Sequence, residues 1–275
     1  MGPPSYGPDR PRWGYRPIAW VPVEPPARRD ASAELDATVR PLRTVVWLGG
    51  LTAVFALLAA AAEIQRFVLL LRGRTEVLDA SVVRFSDAAV VGTSVGVLLA
   101  AVLTVLTGVP AVVRLHAGAA AVLRRGAPHS RRAVLLRLLL PGWNLVGAGQ
   151  VLAETESMVA GTVHRRHPYA DAETGTGPDV LLTAGGRPRV SRLVAAWWVA
   201  WVLNGVLWAA AVLRGLGGSA QAAADSVELH IAVDVTAAVV AGLTAALAVR
   251  LARLVRPRRP PYAGWVVVPP APTRG

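Results

Sequence analysis

The sequence predicts an all-α, polytopic membrane fold: four spanning helices, one broken re-entrant or interfacial helix, and Pro-rich tails. Three uncharged runs carry that prediction. The longest extends from Ala88 to Val113, 26 residues without a charged side chain. Thr44–Ala62, with 19 residues, and Leu193–Leu213, with 21, resemble it. Each is close to or beyond the ~20 apolar residues with which a helix crosses a bilayer core of ~30 Å. A water-soluble domain needs a wet face on nearly every helix and has no place for three such runs.

The elements follow in chain order. Residues 1–41 hold nine Pro together with Trp13, Tyr15 and Trp20, and read as a disordered cytoplasmic tail. The helical transmembrane domain takes residues 42–255 and opens with the Thr44–Ala62 run, a signal anchor with no cleavage site of small residues before it. The second span is Ala88–Val113 and the third Leu193–Leu213, while a fourth, about Leu229 to Val249, contains Asp234 near its start. Between the second and third lies Leu138–Ala153, with 16 uncharged residues but also Pro141, Gly142, Asn144 and Gln150. That length and polarity suit a re-entrant or interfacial piece better than a span. Residues 256–275 form a second tail rich in Pro and Arg. Both tails have the composition of polyproline II segments that dock in aromatic grooves of protein partners, and equally of solvated tails with no partner.

Charge sets the orientation. The loop after the second run carries Arg114, Arg124, Arg125, Arg131, Arg132 and Arg137 and no acid. The C-terminal stretch carries Arg250, Arg253, Arg256, Arg258, Arg259 and Arg274, again with no acid. The positive-inside rule places both in the cytoplasm, along with the N-terminus beside Arg40 and Arg43. Leu216–Glu228 has only Asp225 and Glu228 and belongs outside. Four crossings of a cell membrane, with both termini inside, satisfy every strongly biased loop.

Composition narrows the function classes. The chain is 53% hydrophobic and 17% charged, with a mean hydropathy of +0.45. Its net charge of +12 comes from Arg alone, since there is no Lys. These Arg flank the apolar runs, which points to anionic lipid headgroups rather than nucleic acid. With no Cys, disulfides, thiolate metal sites and Cys nucleophiles are excluded. No phosphate loop, GxSxG elbow, HExxH or dinucleotide fingerprint is present, so neither an enzyme nor a bound cofactor is expected.

The polar positions at membrane depth are the candidates for function or structure. Asn204 lies mid-span, one turn from Trp201 and Trp208, and reads first as a hydrogen bond to a neighbouring helix, ~0.6 kcal/mol on average. Asp234 and Glu63 sit near the outer span ends, either as interfacial groups reaching water or as a proton or cation path. Arg66 is one turn from Glu63 and in position to pair with it. Gly92 and Gly96 form a small-xxx-small pair for close helix approach. Trp143, Trp197, Trp198 and Trp201 have the character of interface anchors. His164 and His167, with Asp171 and Glu173, are the one cluster of metal-ligand types close in sequence, but Pro168 and the Thr174–Pro178 stretch make a flexible loop there and no metal site is expected.

The segment from Pro141 through Trp143, Asn144, Leu145 and Gln150 to Glu154, with Trp197, Trp198, Trp201 and Asn204 downstream, resembles the bacterial membrane proteins grouped as domain of unknown function 4328. The resemblance covers roughly residues 42–255. It departs from the family pattern at Ala148, where a second Pro is frequent, and at Glu156, where an aromatic is frequent. The Arg- and Asn-rich stretch usual after the second span is here Arg114-Leu-His116-Ala. The resemblance implies several membrane helices and no particular chemistry.

Two functions fit these residues. One is a non-enzymatic envelope scaffold or regulator working through its cytoplasmic tails and Arg-rich loops, which attract anionic headgroups by ~1 kcal/mol per Arg. The other is a small-molecule or ion permease built around the broken segment 138–153, with Asn144, Gln150, Asn204 and Asp234 facing a cavity. Four spans make a narrow pathway, which assembly into a homo-oligomer would widen.

Overall fold

The computed structural model describes residues 33–124, 126–166, 190–217 and 220–256. Residues 1–32 and 257–275 of the expected tails and the His167, Asp171 and Glu173 positions lie outside that range, and so does the His164 side chain. Residues 33–41 of the expected N-terminal tail are helical apart from a turn at Thr38, and Leu35 and Thr38 are buried. Among the described residues all regular structure is helical: α1 (Val39–Arg72), α2 (Ala80–Val122), α3 (Arg131–Leu139), α4 (Asn144–Arg166), α5 (Arg192–Gly215) and α6 (Ala220–Val255).

Four helical stretches are long and apolar enough to cross a membrane: Ala33–Arg72, Ala80–Val122, Arg192–Gly215 and Asp225–Val255. Their outward faces carry Leu57, Leu58, Leu98, Leu99, Leu106 and Leu213, all exposed. Such a continuous apolar surface is compatible with a multi-pass membrane protein and would be a liability in water. Within these helices Thr hydroxyls turn back on their own helix. Thr93 donates to the Ala89 carbonyl, Thr104 to Ala100 and Thr107 to Leu103, each at 2.8 Å. A hydroxyl spent this way asks nothing of the lipid.

Helix ends are set by local chemistry. Asp79 caps α2 by accepting from the Ser81 amide at 2.7 Å, and the hydrogen bonds to Ser81 hold its carboxyl below the usual range. Ser130 caps α3 through the Ala133 amide and Ser191 caps α5 through the Val194 amide.

The 138–153 segment is the one expected to form a broken re-entrant or interfacial helix. It is divided between two helices: α3 ends at Leu139, a turn occupies 140–143, and α4 then runs 23 residues to Arg166. Pro141 and Gly142, the latter at φ +80°, make the turn, and neither α3 nor α4 is among the four apolar stretches. The uncharged run spans a helix boundary, and the rest of α4 is polar enough to include Glu154 and Glu156.

The spanning helices pack in the lateral order α2–α1–α6–α5, with α1 against α6 the most extensive contact. Helix α4 closes one end, touching α2, α3, α5 and α6. The large buried side chains gather at that end: Leu35, Leu42 and Val45 meet Leu115 of α2, Val159 of α4 and Leu251 of α6. A smaller group joins Ala148 and Ala153 of α4 to Val194 and Trp197 of α5 and to Leu247. Further along, small residues allow close approach. A Cβ on Gly49 would stand 3.1 Å from the Ala241 carbonyl oxygen, and one on Gly96 would enter the Phe55 ring at 2.6 Å. Gly92, the other half of the expected small-residue pair, has nothing within 4 Å. Arg66 does not turn to Glu63 but pairs across helices, its Nε 3.6 Å from Asp87 Oδ1.

Gly49→Leu and Gly92→Leu gain similar helix propensity, so their difference isolates packing. Gly49→Leu is expected to be about 1–3 kcal/mol less stable than Gly92→Leu, from overpacking against the α6 backbone. Thermal unfolding of both variants in the same detergent measures it.

Candidate functional site

The turn at 140–143 folds α4 back across the Arg-rich end of the bundle, so that polar residues distant in sequence meet there. Glu154 Oε2 lies 2.9 Å from His129 Nδ1, both side chains being one-fifth exposed. His129 belongs to the loop between α2 and α3, directly before the capping Ser130. His116 arrives from the last turns of α2; it is buried, and its ring centroid lies 6.4 Å from that of His129. Thr155, also buried, places Oγ1 3.2 Å from His116 Nδ1.

A second polar contact adjoins this cluster on α4. Glu156 is only 2% exposed, and its Oε1 accepts from Nε of Arg250 on α6. Its Oε2 has no hydrogen-bond partner among the described residues. Arg250 remains partly in solvent, so the pair sits at the edge of the packed end rather than within it.

A cavity of about 470 Å³ lies between α2 and α5, which do not pack on each other, with α1 and α6 as its floor. Leu98 and Val105 edge it and are themselves exposed, so it opens at the depth of the apolar α2 surface. Leu152 and Ala148 of α4 close it toward the Arg-rich end. Its lining is mostly Val, Leu and Ala, and most of its polar groups already have partners. Asn204 Nδ2 donates to the Val233 carbonyl and to Thr236 Oγ1, each at 2.9 Å. Trp197 Nε1 donates to Thr244 Oγ1 at 2.8 Å, and the Thr52 and Thr104 hydroxyls lie 3.4 Å apart. Trp201 stacks on Trp197 at 5.7 Å with an 8° interplanar angle, and its Nε1 has no partner among the described residues.

Residues 74–253 match the family model described as Domain of unknown function (DUF4328). The chain belongs to that family. No curated protein and no solved structure matches it. The DUF4328 region holds the whole polar cluster, the Glu156–Arg250 pair, the α2 and α5 walls of the cavity and the α6 part of its floor. Helix α1 precedes the matched region yet supplies the cavity floor.

The structure separates the residues singled out from sequence. Asn204 and Asp234 line the cavity, whereas Asn144 and Gln150 do not. Gln150 Oε1 accepts from Arg137 Nη1 at 2.9 Å on the exposed side of the α3–α4 turn. Asn144 begins α4 with its amide donating to the Leu140 carbonyl, and Pro141 lies exposed in the turn. Trp143 is half-exposed there, while Trp198 donates to the Leu145 carbonyl and packs over Gly149. Trp197 is buried between helices, and Glu63 is buried with its Oε2 unpartnered among the described residues. Of the cluster, sequence reasoning found Glu154 alone. His116 and His129 sit in the Arg-rich loop region, where charge counting drew attention away from them.

Arg250→Ala strips a buried carboxylate of its cation and is expected to cost on the order of 3 kcal/mol, the low end for a broken buried pair because Arg250 is half in water. Adding Glu156→Gln should recover part of that loss. Chemical unfolding of the single and double variants tests this, with strict additivity as the contrary result.

Proposed function

We propose that this protein is a non-enzymatic scaffold or regulator of the cell envelope, and that its α2–α5 cavity holds the hydrocarbon chain of a membrane amphiphile. The observation that carries this reading is the cavity itself: apolar in lining, open at bilayer depth, with Asn204, Trp197 and the Thr hydroxyls already committed to protein partners. Beyond Ser94, Asp234 and Trp201 a polar solute would find few groups to bind there, and an unsolvated polar group costs several kcal/mol. A hydrocarbon chain needs none. The unpartnered Nε1–H of Trp201 offers one donor to the polar end of such a molecule. The permease reading requires Asn144, Gln150, Asn204 and Asp234 at one place, and only two of the four share the cavity.

In this reading the Arg-rich end, including α3, the turn and α4, lies at the cytoplasmic membrane surface, where Arg131, Arg132 and Arg137 attract anionic headgroups. Both termini are cytoplasmic, and the Pro-rich tails are the contacts for protein partners. The cavity's state would then reach the cytoplasm through α4, which closes it.

Native mass spectrometry of the full chain released from lipid discs should find one long-chain amphiphile retained per chain. Ala101→Phe and Ala237→Phe, which fill the cavity, should lose it. Retention unchanged in both variants, or no retention by the parent protein, would remove the reading. Orientation has its own test, since the chain lacks Cys. Ala127→Cys should react with an impermeant thiol reagent only after the membrane is opened, and Val77→Cys, fully exposed between α1 and α2, from outside without opening it.

A further inference from the structure

His116, His129 and Glu154 each offer one ligand atom, and the three atoms lie within 4.8 Å of one another. They come from three separate elements: α2, the loop before α3, and α4. We propose that these three side chains bind a divalent transition metal of the zinc class, with a fourth position left to water.

The strongest support is the state of His116. Thr155 Oγ1 donates its one hydroxyl proton to the Val151 carbonyl at 2.7 Å. Toward His116 it is therefore an acceptor, and His116 Nδ1 carries the proton of their 3.2 Å contact. Nε2 of the neutral ring is then unprotonated, with its lone pair available. That atom is buried and has no hydrogen-bond partner among the described residues. An imidazole with one nitrogen fixed by a donor contact and the other presenting a free lone pair is the arrangement found at metal-bound histidines. A His129–Glu154 ion pair by itself accounts for two of the three residues and leaves Nε2 of His116 without a purpose.

The donor set is chemically coherent. Two imidazoles and a carboxylate suit zinc and its neighbours, and two neutral rings with one anion leave a bound dication incompletely neutralised, as in sites that keep a water. Zinc–ligand distances of about 2.0–2.2 Å put ligand atoms about 3.3 Å apart in a tetrahedron. The His129–Glu154 pair, at 2.9 Å, is already near that spacing. Closing the rest needs movement of His129, which sits on a loop rather than in a helix. A cavity of about 330 Å³ adjoins His116 and His129, lined by four alanines, Val113 and Val134 together with Ser130 and Arg131, and gives water a place beside the fourth position. Glu154 has no Arg hydrogen-bonded to it among the described contacts, so its charge is available to a cation. Metal would tie the 123–130 loop and the start of α3 to α2 and α4. This proposal does not depend on what occupies the membrane cavity.

The test is titration of the full chain in detergent, after chelator treatment, with Co²⁺ read by its visible absorption and with Zn²⁺ by competition against a chromophoric chelator. One equivalent is expected, with the intense band of tetrahedral Co²⁺. His129→Ala and Glu154→Gln should each weaken binding at least tenfold. Thr155→Val, which removes the contact that orients His116 along with the hydroxyl's bond to the Val151 carbonyl, should weaken it 10- to 100-fold. His116→Gln should abolish it; because that site is buried, the loop variant His129→Ala, with elution profile and unfolding checked, carries the decision. His230→Ala and the double variant His164→Ala/His167→Ala should bind as the parent does. Absence of stoichiometric binding, parent-like binding by His129→Ala, or loss of binding in the His164/His167 variant would each overturn the proposal.

Discussion

Helices α1 and α6 form the most extensive pair in the bundle and approach closely at Gly49, where a Cβ would stand 3.1 Å from the Ala241 carbonyl oxygen, and the placing of the outer helices follows from that central pair. With α1 and α6 paired centrally, α2 has only the far flank of α1 to pack on, and α5 only the far flank of α6. Two outer helices placed on opposite flanks cannot reach each other through a well-packed centre. The cavity between α2 and α5 is thus a consequence of the pairing order. Small residues can direct such an order in a membrane because apolar side chains gain nothing by leaving lipid for protein, so close approach and dispersion decide which helices associate.

The same constraint explains where the polar groups are. A hydroxyl or amide at bilayer depth must find a partner inside the protein. Asn204 does so across helices at Val233 and Thr236, and Trp197 does so at Thr244. Buried polar atoms without partners among the described residues are few: Glu63, Ser86, His116, Glu156 and Trp201 each contribute one. Two of the five, His116 and Glu156, lie together at the packed Arg-rich end. That end is where the largest apolar side chains are also buried, so burial of polar atoms there is imposed by the fold and sustained by Leu35, Leu115, Val151 and Val159 around them.

The spans were legible in the sequence because 19 to 26 uncharged residues in a row leave a helix few other places to go. The role of Asn204 was legible for a related reason, since an amide within such a run has only a neighbouring helix to turn to. The residues at the Arg-rich end were not. His116, His129 and Glu154 are 13 and 25 residues apart, obey no helical spacing, and meet only because Pro141 and Gly142 reverse the chain between α3 and α4. Sequence pattern reports neighbours along one element, and His164 with His167 drew attention on that ground alone. Arg66 shows the same limit: the i+3 rule pointed to Glu63, and a cross-helix acid, Asp87, was nearer. Hydropathy alone does not register the helix boundary inside the uncharged stretch 138–153, which Pro141 and Gly142 mark.

Helix α4 is the element in which these features converge. Ala148 and Leu152 close the membrane cavity, and within the next turn Glu154, Thr155 and Glu156 turn to His129, His116 and Arg250. Leu152 and Glu156 are four residues apart, so they lie nearly above one another on one face of the helix. A rigid helix cannot move one of them without the other. A displacement of Leu152 would therefore reach the Glu156–Arg250 and Glu154–His129 contacts as well. Coupling of this kind requires two arrangements of α4 that differ in free energy for each ligand. The α3–α4 connection is a four-residue turn around Gly142, and α4 meets its neighbours closely where it has no side chain, at Gly147 against Arg137 and at Gly149 against Trp198.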